Sequence, residues 1–325
     1  MWVRNAMLSV VLAILLYVFF APTHGDSYLK ETNPTSSERV STSRQSSELA
    51  SQVETKVTPR RKNRIDCTKP TQAAFQKSEQ TLHYGMFYLN LHADELPEDF
   101  VHQLKPRLRS IQHYYQLLLG KASLKAVEVD LYLFSDLQSY QQFAQSQDRS
   151  HEALGSYSLY DGKIVFYYRN AQQAINTSIH EIVHAVNHRL LGYLPGWLNE
   201  GLAEFFAGLW QSESGQINAE SKKWIDGKNR LRFKPLDLPE LFNQETYWYR
   251  DAQREKLRLY GSSWLLIYFF FVDERGQRLL STIMQQEMQD PCDILEGNEM
   301  LQLLLDAEPN FELDYQHWLS SQLSY

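Results

Sequence analysis

Ala171-Gln172-Gln173-Ala174-Ile175-Asn176-Thr177-Ser178-Ile179-His180-Glu181-Ile182-Val183-His184-Ala185-Val186-Asn187-His188-Arg189-Leu190-Leu191 is the stretch on which the reading of this chain turns. Ile175, Ile179, Ile182, Val183 and Val186 recur at helical spacing and mark one apolar face, which predicts a buried helix over 171–191. Inside it, His180-Glu181-Ile182-Val183-His184 has the form HExxH. Residues four apart on a helix lie about 40° apart around the axis. The two imidazoles therefore point together and can share one metal ion. Glu181 lies one step round, within reach of a water on that metal without being a ligand. The helix is apolar on both sides of the motif, and burying unpaired polar or charged groups is costly, so a metal is the natural partner. Zinc is the expected metal, one per chain, because imidazole suits it and a catalytic zinc keeps three protein ligands and an open position. Such a metal brings the pKa of water to about 7, where Glu181 can accept its proton. His188 continues the four-residue series and could be a ligand, but a surface or supporting role is the preferred reading.

Sixteen residues after His184 comes Glu200, within Pro195-Gly196-Trp197-Leu198-Asn199-Glu200-Gly201-Leu202-Ala203-Glu204-Phe205-Phe206. A Gly/Pro-containing turn precedes a second helix, expected over 198–210. That short connection lets the second helix fold back along the first and bring a carboxylate to the third metal position. The expected site thus stands on two antiparallel helices.

Upstream, strands dominate. Tyr84 to Leu91 reads as a strand. A helix follows from Pro97 to Leu119, with Phe100, Leu104, Leu108, Ile111 and Tyr115 at helical spacing and Pro106 expected to kink or split it. Val127 to Phe134 alternates as a half-buried strand, and Leu137 to Gln147 reads as a short helix. Tyr157–Leu159 and Ile164–Tyr168 flank Asp161-Gly162, a hairpin signal. Downstream, helices are expected over 257–272 and 278–288. Strands first and helices second predict an α+β fold: an N-terminal mixed sheet with an edge hairpin, then a mainly helical half.

HExxH followed by Trp-Leu-Asn-Glu-Gly-Leu-Ala-Glu resembles the gluzincin metallopeptidases, which include thermolysin-like and aminopeptidase N-type enzymes. The closest likeness is to small bacterial gluzincin-like domains of poorly known function. It spans residues 179–207. The resemblance implies His180, His184 and Glu200 as zinc ligands and Glu181 as general base. It implies that Glu204, one turn on, hydrogen-bonds a zinc-bound His and fixes its tautomer. The interval from His184 to Glu200 is a few residues shorter than in aminopeptidase-type enzymes, which keeps Glu204 as an alternative third ligand. The Gly-x-Met-Glu-Asn-type segment that holds a free amine in those aminopeptidases has no counterpart before His180, since Gly85-Met86 is followed by Phe-Tyr-Leu. An endopeptidase is therefore favoured. In gluzincins an edge strand where the 157–168 hairpin stands pairs with extended substrate; an ordinary sheet strand is the other reading. Leu259-Tyr260-Gly261-Ser262-Ser263-Trp264 resembles the Tyr-containing helix that follows the active site in the small gluzincin-like domains. It implies Tyr260 as donor to the oxyanion, with Tyr247 and Tyr249 as rivals among 19 tyrosines.

The remaining features set the context. At 325 residues, 43% hydrophobic and 22% charged, the chain has the composition of an ordinary globular protein. A formal net charge of -7 offers no basic field for nucleic acid. Arg4 and the apolar Ala6–Ala21 stretch, ending in Thr23-His24-Gly25, read as a signal peptide over 1–25. Residues 6–21 kept as an inner-membrane anchor are the weaker alternative, being short of the roughly 20 residues a span needs. Either reading exports the rest, to the periplasm or the medium. Residues 26–65 lack large apolar groups and read as a disordered linker, closed by a basic run at 59–64. The folded domain is expected over 66–325. Cys67 and Cys292, the two cysteines present, are expected to form a disulfide in an oxidising compartment. Together these readings predict an exported zinc peptidase acting on peptides or proteins. Two alternatives stand beside it: an inactive envelope binding or scaffold protein on a peptidase fold, and a zinc amide hydrolase acting on cell-wall material.

Overall fold

The computed structural model describes residues 80–147, 154–211, 217–218, 234–243 and 253–323. The expected signal or anchor at 1–25, the linker at 26–65, Cys67, Tyr247 and Tyr249 lie outside the described residues.

Five strands form a mixed sheet in the order β1 (Thr81–Tyr84), β2 (Phe87–Ala93), β3 (Val127–Phe134), β5 (Lys163–Tyr167), β4 (Gly155–Tyr157). The three central strands run parallel to one another, and the outer ones, β1 and β4, pair antiparallel with them. In β3 the period of two is clear: Val127, Val129, Leu131 and Leu133 are buried in the main core, while Tyr132 and Phe134 meet a short helix on the other face. That helix is α2 (Leu137–Ser146), which covers this face with Tyr140 and Ala144. The sequence expectation of one strand from Tyr84 to Leu91 is corrected to a hairpin. Tyr84 pairs with Phe87 across Gly85-Met86, and Gly85 has φ +58, which its missing Cβ makes inexpensive.

On the main core face lie α1 (Phe100–Leu119) and α3 (Ala171–Leu190). Helix α1 runs unbroken through Pro106, against the expected split. The carbonyl that loses its partner belongs to His102, an exposed residue, where water can replace the missing N–H. Helix α3 starts on Asn170, whose side chain accepts from the Gln173 N–H at 2.9 Å. It ends before Gly192, at φ +90, where a Cβ would fall 2.2 Å from the Pro291 carbonyl oxygen.

The second half is mostly helical: α4 (Gly196–Gly208), α5 (Leu238–Phe242), α6 (Gln253–Phe270), α7 (Glu274–Glu287), α8 (Gly297–Ala307) and α9 (Phe311–Leu323), with a two-residue ladder of β6 (Trp210–Gln211) and β7 (Ile217–Asn218). The α+β architecture is thus a mixed five-stranded sheet followed by a mainly helical half. Helix α4 packs against both α3 and α6. Gly201 permits this: a Cβ there would lie 2.8 Å from Ile267 Cγ1 and 2.9 Å from the Ser263 carbonyl oxygen. No described helix is long and apolar enough to cross a membrane. Cys292 is disulfide-bonded.

Candidate metal centre

Helix α3 buries Ile175, Ile179, Ile182, Val183 and Val186 in the core. This rotation turns His180 and His184 toward α4. The five-residue connection Leu191–Pro195 then starts α4 one turn before Glu200, with the Asn199 N–H bonded to the Pro195 carbonyl at 3.0 Å. Trp197, 1% exposed, anchors that first turn against Phe242 at 5.0 Å between ring centroids.

Three side-chain atoms converge. His180 Nε2 and His184 Nε2 are 3.1 Å apart. Glu200 Oε2 lies 3.3 Å from the first and 3.4 Å from the second. That oxygen is buried and makes no aligned hydrogen bond, as expected when the three atoms face a common point instead of one another. The side chains of His180, His184 and Glu200 are only 17%, 11% and 19% exposed. Together these residues form a group that could hold a metal ion.

The outer nitrogens of both rings have acceptors. His180 Nδ1 lies 3.5 Å from Glu204 Oε1. His184 Nδ1 lies 3.1 Å from Asn199 Oδ1, which also accepts from Asn187 Nδ2 at 2.9 Å. The Tyr115 hydroxyl in turn donates to Asn187 Oδ1. With protons held on Nδ1, both Nε2 lone pairs are left for the convergent point. Glu204 is therefore placed behind His180, and Glu200 at the convergent point. His188 is not part of the group: it is 4% exposed, with Nδ1 3.0 Å from the Tyr157 hydroxyl.

Glu181, 6% exposed, projects beside the pair. Burial raises its pKa above the usual carboxylate range, partly opposed by His180 and His184 and by the Tyr157 N–H, which donates to it. Burial also works against charge on His184, but Glu200 more than offsets it and holds the imidazole up to about 9. Burial likewise opposes charge on Glu200, yet His184 and His180 depress its pKa far below the usual range. Tyr260, on α6, donates a hydrogen bond to Glu200, and the charge of Glu200, then burial, then Glu204 and Glu181 keep its hydroxyl protonated.

His180, Glu181, His184, Glu200 and Tyr260 open into one cleft of about 480 Å³, lined on one side by Gly155, Ser156 and Tyr157 of the edge strand β4 and on another by Tyr193 and Leu194. The structure thus brings together His180, Glu181, His184, Glu200, Glu204 and Tyr260. Sequence reasoning gave no role to Asn199, Asn187 or Tyr115. Asn199 stands beside Glu200 in the run already singled out, so its signal was present. Tyr115 is 72 residues from Asn187, and nothing in the sequence links them. Compared with known proteins, the chain matches no family model and no curated sequence.

Proposed function

We propose that this chain is a zinc-dependent peptidase of gluzincin type, cleaving within peptide chains, with His180, His184 and Glu200 as ligands. One observation carries the reading. A tetrahedral ion with bonds of roughly 2.0–2.1 Å separates its ligand atoms by about 3.3 Å. The triangle of His180 Nε2, His184 Nε2 and Glu200 Oε2 has sides of 3.1, 3.3 and 3.4 Å. The donor set, two imidazoles and a carboxylate, suits zinc with one position open.

Bound there, zinc supplies a Lewis acid that acidifies water and polarises a substrate carbonyl. Glu181 accepts the proton of the attacking water and passes it to the leaving amine. Its raised pKa suits both steps, because a weakly acidic carboxyl takes and returns a proton more readily near neutral pH. Glu204 and Asn199 hold the His180 and His184 tautomers. Tyr260 turns its hydroxyl from Glu200 to the substrate oxygen as negative charge develops.

Metal content of the purified chain, beside its His184→Ala variant, tests the reading. About one zinc per chain, lost in the variant, is expected. Glu181→Gln is expected to keep the zinc and to lower hydrolysis of a quenched-fluorescence peptide library by about 10²–10⁴-fold. Folded wild-type protein that takes up no added zinc would sink the proposal and favour a binding protein on the same fold.

A further inference from the structure

We infer that His188 is a positioning residue that pins the edge strand β4 to the motif helix, and so sets the carboxylate of Glu181; this rests on the peptidase reading above. His188 is buried, one turn beyond His184 on α3, and the hydrolytic scheme does not use it. Its Nδ1 lies 3.0 Å from the Tyr157 hydroxyl.

Tyr157 links the two elements at a second point. Alternate amides of a strand point to opposite edges. The Ser158 N–H points inward, to the Lys163 carbonyl at 3.0 Å on β5. The Tyr157 N–H therefore points to the outer edge of β4, where it meets Glu181 and donates to its carboxylate. Gly155 makes the third contact, where a Cβ would lie 2.8 Å from Thr177 Cγ2 and 3.3 Å from Glu181 Oε1. Among the described residues, three-residue β4 pairs only with β5, so its placement depends on these ties to α3. The Tyr157 side chain holds the strand through His188, and its main chain holds Glu181.

The consequence is a coupling between a hydroxyl–imidazole contact at one end of Tyr157 and the amide at the other end of the same residue. Losing that contact frees β4 to move from α3. The Tyr157 amide then spends less time on Glu181, and the base loses its orientation while the metal ligands keep theirs.

Amide hydrogen exchange on the zinc-loaded full chain tests this without relying on turnover. Tyr157→Phe and His188→Ala are each expected to speed exchange at Gly155–Tyr157 by about five- to tenfold, the effect of one buried hydrogen bond. The double variant is expected to add nothing further, because both changes remove one contact. His188→Asn places an amide, able to donate or accept, near the Nδ1 position and is expected to restore most of the protection. Zinc content stays at the wild-type level in all four. With a quenched-fluorescence peptide library as probe, kcat is expected to fall in Tyr157→Phe while KM holds. Unchanged exchange in Tyr157→Phe, or zinc lost from His188→Ala, would overturn the inference. A zinc-loaded wild type that cleaves no peptide would overturn the peptidase reading instead, and exchange at β4 would still decide whether the pin exists.

Discussion

Replacing Asn199 by Ala removes the acceptor on which two buried donors converge: His184 Nδ1 at 3.1 Å and Asn187 Nδ2 at 2.9 Å. Two consequences separate. In the metal-free protein each orphaned donor costs about 1–3 kcal/mol, less whatever a water in the vacated space recovers, so a loss of about 2–4 kcal/mol is expected in urea unfolding. In zinc binding the loss is of a different kind. Without Asn199, the His184 proton is free to move to Nε2, and that tautomer cannot ligate. Loss of such a supporting partner costs about 10–100-fold in metal affinity. Competition with a chromophoric chelator at fixed pH measures this directly. Asn199→Asp keeps an acceptor at the same place and is expected to bind zinc within a few-fold of wild type. A folded Asn199→Ala protein with wild-type zinc affinity would refute the argument that Asn199 fixes the His184 tautomer.

The other expectations concern the same centre. Glu200→Ala removes a corner of the convergent triangle and is expected to abolish stable zinc binding, whereas Glu204→Ala removes a support and is expected to weaken it about 10–100-fold, both read by the same competition assay; the reverse order would exchange their roles. The pH dependence follows from His184, whose folded-state pKa is raised to about 9 from 6.5 in the metal-free protein. A raised value stabilises the folded state fully below the unfolded pKa, and that contribution is lost as pH rises through about 9. Metal-free protein is therefore expected to lose stability between neutral pH and pH 9 in urea titrations, and Glu200→Gln is expected to flatten that slope. Zinc must displace the same proton, so calorimetry in buffers of different ionisation enthalpy at pH 7 is expected to show about one proton released. Tyr260→Phe is expected to keep zinc and to lower kcat by about 10²–10³-fold; unchanged turnover would return Tyr260 to a packing role.

Local pattern alone carried much of the architecture. The apolar stripe of α3 and the i, i+4 histidines are properties of 3.6-residue periodicity, so the sequence determines that His180 and His184 share a face. The alternation in Val127–Phe134 likewise determines a half-buried strand, and Asp161-Gly162 a hairpin turn. Where local signals were overlooked, they were weaker. Helix α8 buries only Met300 and Leu304 along its stripe, although Glu299 reaches back to the Glu296 N–H at 3.2 Å in capping-box fashion. The apolar neighbours of Gly85 give it the pattern of a strand interior, and only the positive φ of the folded chain marks the turn.

Tertiary structure decided what pairwise spacing cannot express. Glu200 and Glu204 sit one turn apart on one helix, and both are carboxylates near the histidines. Which of them faces Nε2 and which faces Nδ1 depends on how α4 lies across α3. The chain Tyr115–Asn187–Asn199–His184 joins three helices, and the β4 amide that meets Glu181 comes from a sheet edge. Hydrogen-bond partners of this sort are chosen by packing after the elements form, so the sequence determined that the two histidines share a face, and the fold determined which carboxylate joins them and which groups fix their tautomers.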